Sequence, residues 1–263
     1  METMRFVELD EARAARGVRM LAAALLPSPW TEAAKGLFHV SQIPLSVVRF
    51  RRGEAAQAAW AGVQNTPAVI FDDDPPRSGW AEILSLACRL RPEVGLVPHD
   101  VDGRARLFGL AHELCGEDGL GWCQRLLMID GSLSTGGARS FPLPVANFLA
   151  ARYGYAPERV APARARVGAI LARLDRLLAD SAAAGHAFLL GPRLGALDIY
   201  LATFLTPIVG VTEADCPGVV PAVRSAFAYL GEQLAGGAAD LPPALVAHRQ
   251  LVYREHLPWP IRL

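Results

Sequence analysis

Gly17-Val-Arg-Met-Leu-Ala-Ala-Ala-Leu-Leu-Pro-Ser-Pro-Trp-Thr31 opens the stretch that decides the fold, and that stretch runs on to Leu86. From Val18 to Leu26 every residue but Arg19 is apolar, which predicts a strand covered on both faces of a sheet. Ser28 is a favoured N-cap, and Pro29 stands at the first helical position, where its missing N–H costs nothing. The helix is expected over Trp30–Val40, with Ala33, Leu37 and Val40 on one face and Glu32 and Lys35 toward water. Gln42-Ile43-Pro44 closes it, and valine-rich Leu45–Phe50 reads as a second strand. Arg51–Gln64 predicts a short helix. Thr66-Pro67 opens a third strand, Ala68–Phe71, where a leading proline is tolerated and a cis X–Pro bond is accessible. Asp72–Pro76 breaks the pattern and leaves a fourth strand very short or missing. Ser78 is then expected to cap a helix that carries Trp80, Ile83, Leu84, Leu86 and Ala87.

Outside this stretch, residues 1–16 are polar and are expected to lie on the surface as an extension. Pro92–Gly103 is a connector rich in turn residues, and it is the expected domain boundary between residues 17–91 and 104–263. Beyond it the pattern is helical. Arg104–Ile129 carries Leu107, Leu110, Ala111, Leu114, Trp122 and Leu126, with a glycine-rich irregularity at 116–121. Asp130–Pro144 reads as a loop. Val160, Ala163, Val167, Ile170, Leu171, Leu174, Leu177 and Leu178 recur at helical spacing with arginines between them. Gly195–Ala202 begins a very apolar helix ending near Pro207, and two further helices are expected over 219–235 and 242–256.

The chain has 263 residues, 52% of them hydrophobic, 20% charged, and a formal net charge of zero. That describes a globular chain with a sizeable core. It offers no basic surface for nucleic acid and no membrane-binding basic run. No signal peptide is visible, and the longest apolar run falls far short of a bilayer span. The four cysteines show neither Cys-x-x-Cys nor zinc spacing, and are read as reduced thiols of a cytoplasmic protein. His112-Glu113 near Cys115 lacks a second histidine at helical spacing, so no metal is expected.

Taken together, the order of these motifs resembles the cytosolic glutathione transferases over nearly the whole chain. The likeness rests on Ser28-Pro29-Trp30-Thr31, Ile43-Pro44, Thr66-Pro67, Arg77-Ser78-x-x-Ala81 and Gly195-Ala-Leu-Asp198. It implies a thioredoxin-like α/β domain followed by an all-helical domain, of the serine-type, bacterial-like kind. It further implies glutathione as co-substrate, a small electrophile as partner, and a homodimer. By the same resemblance Ser28 is the activating hydroxyl, while Thr66, Pro67, Arg77 and Ser78 hold glutathione, Thr66 through its backbone N–H and C=O in the manner of an added strand. Asp198 fits the family's helix-capping segment. Arg77 departs from the family, which has an acid or amide there. A guanidinium forks onto the γ-glutamyl carboxylate but repels the ammonium. Either an acid such as Asp74, or one from a partner subunit, offsets this, or glutathione binds weakly.

The chemistry is that of a borrowed thiol. The thiolate is the reactive form, and a hydroxyl donating to the sulfur favours it by roughly 1.5–3 kcal/mol, or about one to two pKa units. A helix N-terminus adds to this. Ser28 supplies both, although as a plain helix cap its hydroxyl would be engaged elsewhere. Thr31 stands where a redox protein would hold a second cysteine, so dithiol chemistry through this motif is excluded. Trp30 is either a packing residue or part of the pocket mouth. Three readings remain open: a transferase, a non-catalytic binding protein of the same fold, and a glutathione-dependent isomerase or reductive enzyme.

Overall fold

The computed structural model describes residues 3–63, 65–235 and 240–263. Positions 1 and 2 of the expected extension and position 64 of the expected 51–64 helix lie outside the described residues. In chain order the first half contains β1 (Met4–Phe6), α1 (Leu9–Ala14), β2 (Val18–Ala22), α2 (Pro29–Val40), β3 (Leu45–Arg49), α3 (Ala55–Ala61), β4 (Ala68–Phe71) and α4 (Trp80–Leu90). The sheet order is β1-β3-β2-β4. β2 and β3 are parallel, with Val18 opposite Leu45 and Ala22 opposite Arg49, and β4 is antiparallel to β2. The fourth strand shrinks to one bridge, in which Arg77 and Val69 exchange two hydrogen bonds of 2.8 Å.

This connectivity sends every functional loop to one edge of the sheet. The chain leaves β2 and β3 from that edge, enters β4 through Thr66-Pro67 there, and returns to it at Ser78. Crevices outside the carboxyl ends of parallel strands are where such sheets bind ligands.

The second half is helical: α5 (Val101–Cys115), α6 (Leu120–Ser134), α7 (Leu143–Tyr153), α8 (Val160–Ala183), α9 (Ala196–Val209), α10 (Pro221–Leu234) and α11 (Pro243–His256). α9 is its centre. Every residue from Ala196 to Ile208 is buried, as a helix apolar on all sides requires. It packs against α2 of the first half and against α5, α10 and α11. The buried Asp198 carboxylate fastens its start, accepting the Gly195 and Leu189 N–H groups at 2.9 Å and lying 2.9 Å from His248 Nε2.

Several expectations need correction. The N-terminal segment is not a surface appendage: β1 pairs in parallel with β3, Met4 is buried, and α1 buries Ala12. Three strand residues are too few to show a period. β2 stops at Ala22 rather than Leu26, because Leu25 turns to a positive φ of 67° and is exposed. α6 continues to Ser134, into the expected loop Asp130–Pro144, and α7 begins at its end and runs on through residues to which no element was assigned. α5 begins at Val101, ahead of the expected Arg104, where the Asp100 carboxylate caps it by accepting the Gly103 N–H at 2.7 Å.

Glu32 and Lys35 do not face water. The segment after α11 and strand β1 cover that face of α2, and the two side chains pair at 2.8 Å with 8% and 3% exposure. Lys35 also donates to the Arg262 carbonyl at 2.6 Å. A charge lost to water needs a partner of opposite sign and further hydrogen bonds, and this pair supplies both. Neighbouring contacts hold the covering segment down: Arg49 donates to the Leu263 carbonyl, and Ile261 N–H donates to the Asp215 carbonyl.

Candidate functional site

Ser28 is the N-cap of α2 by position, in extended backbone, with Pro29 behind it at the first helical position. Its carbonyl accepts the Glu32 N–H at 2.8 Å, yet its side chain makes no capping hydrogen bond. The residue is 7% exposed. Its hydroxyl, which caps nothing, thus stands at the positive end of a three-turn helix, on the loop-bearing edge of the sheet. Thr31, one turn on, is fully buried and accepts the Ala23 N–H at 3.4 Å, tying the β2–α2 loop to the helix.

The other expected site residues gather on the same edge. The Thr66–Pro67 bond is cis. The Thr66 N–H, which the resemblance assigns to a ligand, is accepted at 2.9 Å by the Asn65 side-chain oxygen. Ser78 is half-buried and precedes α4 without capping it. The N-cap is Gly79, whose N–H is accepted by the Glu82 carboxylate at 3.1 Å. Glycine costs little at that position, and a glutamate three residues on can reach back to it.

Arg77 is engaged by its own turn. Its guanidinium lies 3.0 Å from Asp74 Oδ2 and donates to the Pro75 carbonyl at 3.3 Å. Arg89 of α4 shares the same carboxylate. Hydrogen bonds from Arg89 and then Arg77 hold the Asp74 carboxyl below its usual range. Of the two sources of an offsetting acid, the intrachain one is present.

A narrow cleft lies between the halves, with room of about 10 Å³, enough for roughly one water. Trp30, Ala33, Ala34 and Leu37 of α2 form one wall. Pro67, Ser78, Trp80 and Ile83 form the second, and Cys115, Tyr200 and Phe204 close it from the helical half. It brings Pro67 and Ser78 together, while Ser28, Thr66 and Arg77 are not on its walls. Four of its eleven lining residues are aromatic. Trp30 meets Phe204 edge-on at 5.0 Å and Trp80 meets Tyr200 at 5.8 Å, while Phe108 lies behind Trp80 at 6.0 Å. Trp30 Nε1 donates to the Cys115 carbonyl at 2.9 Å, a direct link between halves.

The sequence offered Trp30 for the pocket mouth and missed Trp80, Tyr200 and Phe204. The only available signal for the missed residues was their aromatic character within helices, which core packing explains equally well.

Burial pushes the Cys115 thiol well above its ordinary value and the Cys123 thiol up to about 11. Neither is a ready nucleophile at neutral pH. Among the described residues no His, Cys, Asp or Glu cluster could hold a metal ion, and no helix is long and apolar enough to cross a membrane.

Comparison with known proteins bears on the fold. Residues 157–219, which hold α8 and α9, match the family described as glutathione S-transferase, C-terminal domain. No curated protein matches the sequence. A glutathione S-transferase from Methylobacterium radiotolerans, solved in complex with glutathione sulfonate, is 17% identical. The alignment covers 92% of this chain and 95% of that one, with a TM-score of 0.53. A Tau class glutathione S-transferase from mango, Mangifera indica, is 18% identical over 90% and 98% of the two chains, with a TM-score of 0.52. A glutathione transferase family member from Pseudomonas fluorescens, solved with two glutathione bound, is 14% identical over 92% and 94%, with a TM-score of 0.53. The chain has the glutathione transferase fold: a mixed four-stranded α/β half joined to an all-helical half.

Proposed function

We propose that this protein is a glutathione transferase-like enzyme of the serine type, with a thioredoxin-like half that includes β1 and ends with α4 and a helical half that begins at α5. Ser28 activates the glutathione thiolate for attack on a small, partly apolar electrophile. The observation that carries this reading is the Ser28 hydroxyl, which makes no capping bond although it stands at the N-terminus of α2. A hydroxyl committed to its own helix would have little left for a sulfur. The matched C-terminal segment and the solved relatives that hold glutathione or its sulfonate support the choice of thiol.

Thr66 and Pro67 receive the cysteinyl part of glutathione, and Ser78 with Arg77 receives the γ-glutamyl end. One rearrangement follows: the Thr66 N–H must leave Asn65. The γ-glutamyl ammonium meets an arginine whose charge Asp74 already offsets. The electrophile lies against the aromatic wall of Trp30, Trp80, Tyr200 and Phe204, which suits a flat, apolar molecule. Glutathione is a co-substrate and no metal takes part. The protein acts as a homodimer in the cytoplasm.

Calorimetry with glutathione at millimolar concentration, followed by conjugation rates across a panel of small electrophiles, tests this. In Ser28→Ala conjugation falls by about tenfold or more, the loss of one charge-assisted hydrogen bond, while glutathione binding changes little. Absence of binding heat refutes the glutathione reading. Full activity in the alanine variant moves the catalytic role away from Ser28, and monomer mass in light scattering refutes the dimer. The Asn65 contact at Thr66 favours a second reading, a protein that binds through this groove without conjugating. Binding with no turnover on any electrophile would select it.

A further inference from the structure

We infer that Trp122, Arg125 and Ser140, where α6 meets the loop leading into α7, form a binding site for the carboxylate group of a small molecule. It is separate from the cleft between the halves, whose walls include none of the three.

Trp122 and Arg125 are three positions apart on α6, so they share one face of the helix. The Arg125 guanidinium carbon lies 5.3 Å from the centre of the Phe141 ring and 5.9 Å from that of Tyr153. Tyr153 in turn meets Trp122 at 4.6 Å. Ser140 directly precedes Phe141, whose N–H is fixed on α6 by Ser132 Oγ at 2.7 Å. The end of the loop is therefore tied down beside the arginine.

Unmet hydrogen bonding singles the place out. Trp122 Nε1, Arg125 Nε and Ser140 Oγ are buried and without a partner. Seven buried side-chain atoms among the described residues are left so, and three of them gather here. A buried polar group without a partner costs about 1–3 kcal/mol, and folded proteins leave few of them. Ser140 is also only 6% exposed and holds a left-handed φ of 68°, a region that residues other than glycine seldom enter.

The chemistry of the donors selects the ligand. Indole and guanidinium groups donate and cannot accept, so their partner is an acceptor. Arg125 is half-buried and forms no hydrogen bond or ion pair with a protein group among the described residues. From Leu120 to Tyr153 the only acid is Asp130, and it accepts the Tyr155 hydroxyl at 2.7 Å. A cation partly withdrawn from water without a counter-charge favours an anion. One guanidinium balances one negative charge, and its planar fork matches the edge of a carboxylate. The rings of Trp122, Phe141 and Tyr153 surround it with apolar surface, which suits an organic acid better than free phosphate.

The indole N–H of Trp122 reports on the site in heteronuclear NMR of the full chain, its resonance identified by its loss in Trp122→Phe. That resonance is expected to shift saturably with sodium acetate or sodium benzoate, and not with sodium chloride at equal ionic strength. Arg125→Gln should weaken acetate binding by about tenfold or more, and Ser140→Ala by about fivefold, the losses of a charge-assisted and a neutral hydrogen bond. Arg125→Lys keeps the charge without the fork and should also bind more weakly, which serves as the test if the glutamine variant does not fold. Absence of a saturable shift, an equal response to chloride, or tighter binding of inorganic phosphate than of either carboxylate overturns the site. So does wild-type affinity in either Arg125 variant.

Discussion

Removing Lys35 tests the most unexpected packing in the molecule. Its ammonium and the Glu32 carboxylate are 2.8 Å apart with 3% and 8% exposure, and the Arg262 carbonyl takes a second hydrogen bond from the same ammonium. Lys35→Met keeps most of the aliphatic volume and leaves a carboxylate buried without its cation, a change that costs about 3–5 kcal/mol. Glu32→Met with Lys35→Met removes both charges, and a buried pair replaced by apolar groups is often neutral or better. Urea unfolding at pH 7 should therefore show a large loss for the single variant and recovery of most of it in the double. Burial raises the Glu32 carboxyl above its ordinary value, and Lys35 opposes that rise. A carboxyl raised in the folded state contributes stability that is fully present below its unfolded value and is lost as pH rises through the folded value. Without Lys35 the folded value climbs further, so the deficit of Lys35→Met should be largest above that raised value and shrink as the pH falls and Glu32 takes up a proton. A loss under about 1 kcal/mol at pH 7, the size of an exposed pair, would refute the buried-pair reasoning. So would a double variant no more stable than the single.

Three further outcomes are expected. Asp198→Ala orphans the Leu189 and Gly195 N–H groups and the His248 ring, and should lower stability by about 3 kcal/mol or more in the same unfolding assay; wild-type stability would show that α9 does not depend on this anchor. Gly121→Ala drives a methyl into Phe204 and Trp30, and thermal melting should report a loss of about 1–3 kcal/mol; an unchanged melting temperature would mean that α6 stands farther from α2 than described. Asp74→Asn leaves Arg77 and Arg89 without their shared carboxylate, so glutathione binding should weaken in calorimetry, and Arg77→Gln in that background should restore it. Tighter binding in Asp74→Asn would show that the guanidinium helps rather than hinders the ligand.

How far the fold could be read from residues depended on where burial left a period. Val160 to Leu178 spells out α8 because one face is buried and the other carries arginines, and the valines of Leu45–Arg49 mark β3 in the same way. α7 could not be found so, since a helix with one buried residue has no apolar stripe. β1 is too short for any period. Glu32 and Lys35 were misread for another reason. Charge on a helix face indicates solvent only when nothing charged or polar is available to cover it, and the covering residues, 257–263 with β1, lie at the far ends of the chain.

The site divides along the same line. Backbone signals, a proline before a strand and a serine before a proline at a helix start, are local and marked the edge of the sheet from the sequence. The aromatic wall is not local, because Trp30, Trp80, Tyr200 and Phe204 come from three separate helices and meet only when the halves pack. Ser28 joins the two kinds of information. Serine before Pro29 is as good a cap as it is a thiol activator, and spacing alone could not choose. The geometry bears on the cap: α2 starts without the Ser28 side chain, with Pro29 removing one orphan N–H and the Ser28 carbonyl accepting the Glu32 N–H. A stability assay on Ser28→Ala gives that separation a number. Loss of a working cap costs about 0.5–2 kcal/mol, so a variant that keeps wild-type stability yet loses conjugation would assign the hydroxyl to the sulfur, and one that loses stability with activity intact would return it to the helix.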